Sequence, residues 1–131
     1  MPEPINNRYL YYVGGSTVPS QVGVLRNDGM HTDGRRGYLL YGPYRPIDAG
    51  EYILKVTGEV KSDAEDVVID IVDQQGAVTY ARFEGLKKGK GLLLEEKVNI
   101  TEPATQLEVR VFVSENDDLV ITGYLLLPYL M

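Results

Sequence analysis

Alternation is the feature that most limits what this chain can fold into. Tyr52, Leu54, Val56 and Val60 fall on one face of a strand, with Glu51, Lys55, Thr57 and Glu59 on the other. Leu107, Val109, Val111 and Val113 repeat the pattern, with Glu108 and Arg110 turned outward. A period of two sends successive side chains to opposite sides of a pleated strand, so each segment has one face to bury and one to wet. No segment carries a sustained helical stripe, and turn signals recur about every ten residues, the spacing of sandwiches and barrels. Further strands are expected at Tyr9 to Val13, Gly23 to Arg26, Gly37 to Tyr41, Val67 to Val72, Ala77 to Phe83, Gly91 to Ile100 and Leu119 to Leu130. The Asp73 to Gly76 turn should join two of them as a hairpin. Eight or nine strands with one apolar face each predict an all-β fold, a two-sheet antiparallel β-sandwich of jelly-roll type in a single domain, 1–131.

Composition narrows the function classes. At 131 residues with 44% hydrophobic and 24% charged side chains, the chain has ordinary globular composition and room for one core. The longest apolar run, Tyr124 to Leu127, falls far short of the ~20 residues of a spanning helix, and MPEPINNRYL holds no apolar signal core. A cytoplasmic protein without membrane insertion is the expectation. There is no cysteine, which excludes disulfides and thiolate metal sites. The net charge of -6 opposes binding to nucleic acid, which needs clustered cations. Yet Arg26, Arg35, Arg36 and Arg45 stand against only Asp28 and Asp33 in one stretch, so one loop region is locally cationic.

Enzymatic motifs are missing. The chain has no GxSxG elbow, phosphate loop or HExxH, and its one histidine, His31, cannot supply a multi-histidine metal set. No nucleophile is spaced recognisably around His31 for general-base work, so a solvated loop histidine is the simpler reading and no catalytic residue is expected. The acidic clusters Asp63, Glu65, Asp66 and Glu115, Asn116, Asp117, Asp118 offer hard oxygen ligands of the kind that hold structural calcium. Their spacing matches no defined calcium loop, and solvated turn residues that break strands are the simpler reading; no other cofactor is implied.

The densest chemistry lies in Gly37 to Gly50, GYLLYGPYRPIDAG, which reads as an apolar strand, a Gly-Pro-Tyr corner and a turn stiffened by Pro46. Tyr41, Tyr44 and Arg45 at that corner, with His31, Asp33, Arg35 and Arg36 on the preceding loop, form the candidate ligand-binding set. Sugars stack their C–H faces on aromatic rings and hydrogen-bond their hydroxyls to planar forked groups, and Tyr with Arg and Asp supplies both. Against this stands a structural role for Tyr44, its hydroxyl tying down a loop as in a tyrosine corner, and a core position for Tyr41. The chain lacks tryptophan, the flat platform of modules that grip crystalline polysaccharide. Tyr9 and Tyr11 share a face opposite Tyr12, so at least one of these rings should meet solvent or a partner.

Ser20-Gln21-Val22-Gly23, Thr32-Asp33-Gly34, Gly37-Tyr38-Leu39, Tyr41-Gly42-Pro43-Tyr44 and Ala49-Gly50-Glu51-Tyr52 resemble the β-sandwich modules found beside bacterial glycosyltransferases and methyltransferases of surface-polysaccharide synthesis. The resemblance covers about residues 17–60 and includes no catalytic motif. It implies a noncatalytic, lectin-like accessory module whose partner is a glycan or polysaccharide. The competing expectation is a structural or homo-oligomerisation domain, motivated by the apolar C-terminal segment YLLLPYLM.

Overall fold

The computed structural model describes residues 8–129. Eleven strands follow in chain order: β1 (Leu10–Val13), β2 (Gly23–Leu25), β3 (Met30–Thr32), β4 (Gly37–Leu40), β5 (Pro43–Ile47), β6 (Gly50–Val60), β7 (Ala64–Asp73), β8 (Val78–Leu86), β9 (Gly89–Ile100), β10 (Ala104–Val113) and β11 (Leu119–Pro128). They form two antiparallel sheets. The six-stranded sheet runs β2-β3-β11-β6-β9, with β1 also on β11, and the five-stranded sheet runs β4-β10-β7-β8, with β5 also on β10. The chain crosses between the sheets repeatedly, as between β5 and β6, β6 and β7, and β8 and β9. This is the expected two-sheet sandwich.

The alternation read from sequence decides which side of each strand is buried. Tyr52, Leu54, Val56 and Val60 of β6 face Leu107, Val109, Val111 and Val113 of β10 across the core, joined by Ile69 and Ile71 of β7 and by Leu119, Ile121 and Leu126 of β11. Each such aliphatic side chain contributes roughly 1.5–3 kcal/mol on burial. Tyr12 and Tyr124 enter the same core while Tyr9 and Tyr11 stay exposed, as their opposite parity requires.

Two strands lie where sequence predicted loop or turn. Met30–Thr32 pairs with both β2 and β11, inside the glycine-rich stretch that reads as irregular. The segment containing Pro46, expected as a turn, is strand β5, which adds to the edge of β10. Proline is tolerated there because an edge strand leaves some N–H positions unpaired. Tyr52 makes a corner contact of the kind weighed for Tyr44: its buried ring sends its hydroxyl to the Asp48 carbonyl at 2.7 Å. The outer edge of β4 is covered: Gln21 N and Val22 N donate to the Tyr38 carbonyl, Tyr41 N donates to the Pro19 carbonyl, and Tyr38 N donates to the Gln21 side chain.

Burial holds the phenols of Tyr12, Tyr52 and Tyr124 above their ordinary value of 10.0, because a phenolate loses its solvation inside the sandwich. The folded chain therefore keeps protons that the unfolded chain releases. Their contribution to stability is fully present below about pH 10 and is lost as pH rises beyond it. The melting temperature should accordingly fall steeply above that pH, in step with tyrosinate absorbance. Full ionisation of all the tyrosines without loss of melting temperature would contradict the burial of these rings.

Candidate functional site

The outer face of the five-stranded sheet carries the side chains that alternate with the core. Register places Tyr38 of β4 opposite Phe112 of β10, Phe112 opposite Val68 of β7, and Val68 opposite Glu84 of β8. In the neighbouring row Arg110 faces Asp70, and Asp70 faces Arg82. A trough of about 470 Å³ runs over these rows, lined by Arg36, Tyr38, Asp70, Arg82, Arg110 and Phe112 among others. Beside it a cavity of about 260 Å³ is lined by Gln21, Tyr38, Tyr41, Tyr44, Gln75, Glu108 and Arg110. Tyr38 and Arg110 line both, so the two adjoin.

Charged groups on this face are held before any ligand arrives. Arg110 is bidentate on Asp70, Nε to Oδ1 at 2.9 Å and Nη2 to Oδ2 at 2.7 Å, and its guanidinium lies 4.9 Å from the Tyr38 ring centroid. The hydrogen bonds it donates to Asp70 hold the guanidinium even more firmly protonated than usual. Arg82 Nε reaches Glu84 Oε1 at 3.0 Å. The Arg36 guanidinium lies 5.1 Å from the centroid of the Phe112 ring.

The turn after β7 closes the smaller cavity. Gln74–Gly76 forms a single 3-10 turn, and the space a side chain at Gly76 would occupy lies 3.5 Å from the Arg110 guanidinium. The Asp73 carboxylate fixes this turn by accepting from Gln74 N (2.8 Å), Thr105 N (3.2 Å) and Gln106 N (2.8 Å). Glu108 points outward by register yet is only 3% exposed, because Tyr44 and the Gln75 turn enclose it. Partial burial, then the adjacent Glu108 carboxylate, holds the Tyr44 phenol above its ordinary range, although the residue as a whole is 41% exposed. The ring body meets solvent while the hydroxyl turns toward Glu108. Tyr44, Gln74 and Gln75 are the non-glycine residues with left-handed backbone among the described residues, at φ of 67°, 53° and 58°. All three stand at this cavity or next to it, where such strain costs on the order of 1 kcal/mol or more each.

Of the ligand-binding set predicted from sequence, Arg36, Tyr41 and Tyr44 line this face, where Glu65 and Asp66 of the first acidic cluster also line the trough. Tyr41 is half-buried at the cavity wall. The others lie outside both cavities. His31 sits on β3 in the opposite sheet, with Nε2 2.8 Å from Asp28 Oδ1, and that bond holds the Asp28 carboxyl below the usual range. Asp33 and Arg35 clasp each other, with Arg35 Nη2 at 2.6 Å and Nε at 3.0 Å from Asp33 Oδ2, and so shape the β3–β4 connection. Arg35 accordingly holds the Asp33 carboxyl below its ordinary value. Arg45 pairs opposite Leu107, whereas Gly37, where the 33–36 loop enters β4, pairs opposite Val113. At the rise of a strand that separates Arg45 from the loop by about 20 Å along β10. The seven residues therefore do not converge on one point. In the acidic clusters, Asp63 accepts from Lys88 N and so ties the β6–β7 turn to the β8–β9 turn, while Asp117 accepts from Ser114 N within its own turn. No group of three or more metal-ligating side chains converges among the described residues.

Sequence reading passed over Tyr38, Asp70, Glu108, Arg110 and Phe112. The available signal was parity: Asp70 interrupts a β-branched run, and Glu108, Arg110 and Phe112 occupy the outward positions of the best-defined strand. No protein-family model matches the chain, and no curated protein matches it in sequence. Among the described residues no helix is long and apolar enough to cross a membrane.

The Asp70–Arg110 pair makes a direct prediction. Arg110→Leu strands a buried carboxylate and should cost about 3–5 kcal/mol of stability. Adding Asp70→Leu should recover most of that loss by exchanging the pair for apolar packing. Chemical denaturation of the single and double variants measures both, and a single variant as stable as the parent would show that Asp70 is not desolvated.

Proposed function

We propose that this protein is a noncatalytic glycan-binding β-sandwich, linked to bacterial polysaccharide metabolism, which takes its ligand along the outer face of the five-stranded sheet. One observation carries the reading: a single trough sets Tyr38 and Phe112 beside the guanidinium–carboxylate pair Arg110–Asp70, with the pair Arg82–Glu84 following on β8. Vicinal hydroxyls of a sugar both donate and accept, and pre-paired planar forks offer complementary partners with little rearrangement. Aromatic edges and faces meet the apolar C–H surfaces between those hydroxyls. The resemblance of residues 17–60 to polysaccharide-associated modules points the same way, and Gln21, Tyr38, Tyr41 and Tyr44 of that stretch stand in or beside the trough.

A second reading has its own observation. Tyr9, Tyr11, Val13, Leu92 and Leu125 are exposed on the other sheet, with Tyr11 paired opposite Leu125 and the Tyr9 and Tyr11 rings stacked 6.0 Å apart. Such a surface suits an oligomerisation module. Light scattering coupled to size exclusion tests it, since a monomer at high concentration removes the reading.

A glycan array tests the first proposal. Arg36 is exposed, so Arg36→Ala should leave the fold intact while weakening a bound glycan by roughly ten- to a hundredfold, the loss of one charge-assisted hydrogen bond. Arg45→Ala, outside both cavities, should leave affinity unchanged. Equal affinity of the parent and the Arg36 variant, or loss of binding on changing Arg45, would displace the ligand from this face.

A further inference from the structure

We propose that the smaller cavity, walled by Tyr38, Tyr41 and Tyr44 and floored by Glu108, binds the methylated ammonium head of a small organic cation of the choline type. The geometry of the rings argues for it. Tyr38 and Tyr41 have centroids 6.4 Å apart with planes inclined at 63°, and Tyr41 and Tyr44 have centroids 6.5 Å apart at 76°. Rings set nearly perpendicular to their neighbours form the walls of a box and offer no flat platform for a sugar face. A rounded cation meets several ring quadrupoles at once in such a box, and a methylated nitrogen, weakly hydrated, gains most from them.

Charge agrees with shape. The charged groups at the cavity are Glu108 and Arg110, and Arg110 is already neutralised by its two hydrogen bonds to Asp70. That leaves Glu108, a carboxyl group almost wholly buried, met by the Tyr44 hydroxyl and in none of the salt bridges among the described residues. Arg110 already makes a cation–π contact with Tyr38, so the same ring system holds a cation of the protein's own. The volume, about 260 Å³, is enough for a compact head group. The strained residues Tyr44 and Gln75 stand on opposite elements of the wall, which is where backbone strain is maintained when it shapes a site.

The cation can come as a free small molecule or as a substituent on a glycan; only the second source rests on the reading of the adjoining trough as a glycan site. Titration calorimetry with choline on the full chain tests the box alone. Choline should bind at least about tenfold more tightly than its neutral neohexyl analogue, in which carbon replaces the quaternary nitrogen. Glu108→Gln, nearly identical in shape, should weaken choline by a similar factor, and Tyr41→Leu provides a second variant if the first does not fold. Equal affinity for choline and the neutral analogue, or no heat with choline at tens of millimolar, overturns the proposal. Array glycans that bind but are not displaced by choline, in a protein that gives no heat with choline, sink the box and spare the glycan reading. Choline binding with an empty array does the reverse.

Discussion

Everything on the outer face follows from the two-sidedness of β10. That strand is paired with β4 and β5 along one edge and with β7 along the other, and it cannot bury Leu107, Val109, Val111 and Val113 without turning Glu108, Arg110 and Phe112 to the opposite side. β7 obeys the same constraint, so Ile69 and Ile71 go inward and Val68 and Asp70 outward, directly against Phe112 and Arg110. The ion pair and the aromatic row are consequences of register. A slip of one residue would put a carboxylate and a guanidinium into the core, at a cost far above the stability of a domain this size.

Upon that regular lattice the chain superimposes two irregular pieces. The Gly42–Tyr44 corner and the Gln74–Gly76 turn both require backbone that side chains seldom adopt, and both fold toward Glu108. They persist because neighbours over-determine them. Asp73 gathers three backbone N–H groups from the turn and from the start of β10, and Val109 N donates to the Gly42 carbonyl at 2.9 Å. A pocket built this way is fixed by the protein's own hydrogen bonds, and little conformational freedom is left in its walls.

Legibility in the sequence tracked how local the cause was. The strands β6 and β10 and their buried faces could be read from alternation alone, and so could the split of Tyr9 and Tyr11 from Tyr12. Strand β3 was hidden because its three residues acquire their partners from β2 and from β11, far away in sequence. Strand β5 was hidden behind Pro46, whose usual meaning as a turn is overridden by the free edge of β10. At the candidate site, Tyr41, Tyr44 and Arg36 were visible as a local concentration of aromatic and cationic residues. Asp70 and Arg110 are 40 positions apart, and only pairing of β7 with β10 brings them together. His31, Asp33 and Arg35 looked like site residues by proximity in sequence, but His31 bonds Asp28, and Arg35 bonds Asp33 and the Gln21 carbonyl.

The segment laid along β4 has a consequence for how copies of this protein behave at close quarters. Pro19, Gln21 and Val22 occupy backbone positions on the outer edge of β4 that an approaching strand would otherwise use. The rim nearest the tyrosine cavity is thereby closed to templated strand addition. Molecules crowded side by side along that rim can slide past one another without zippering.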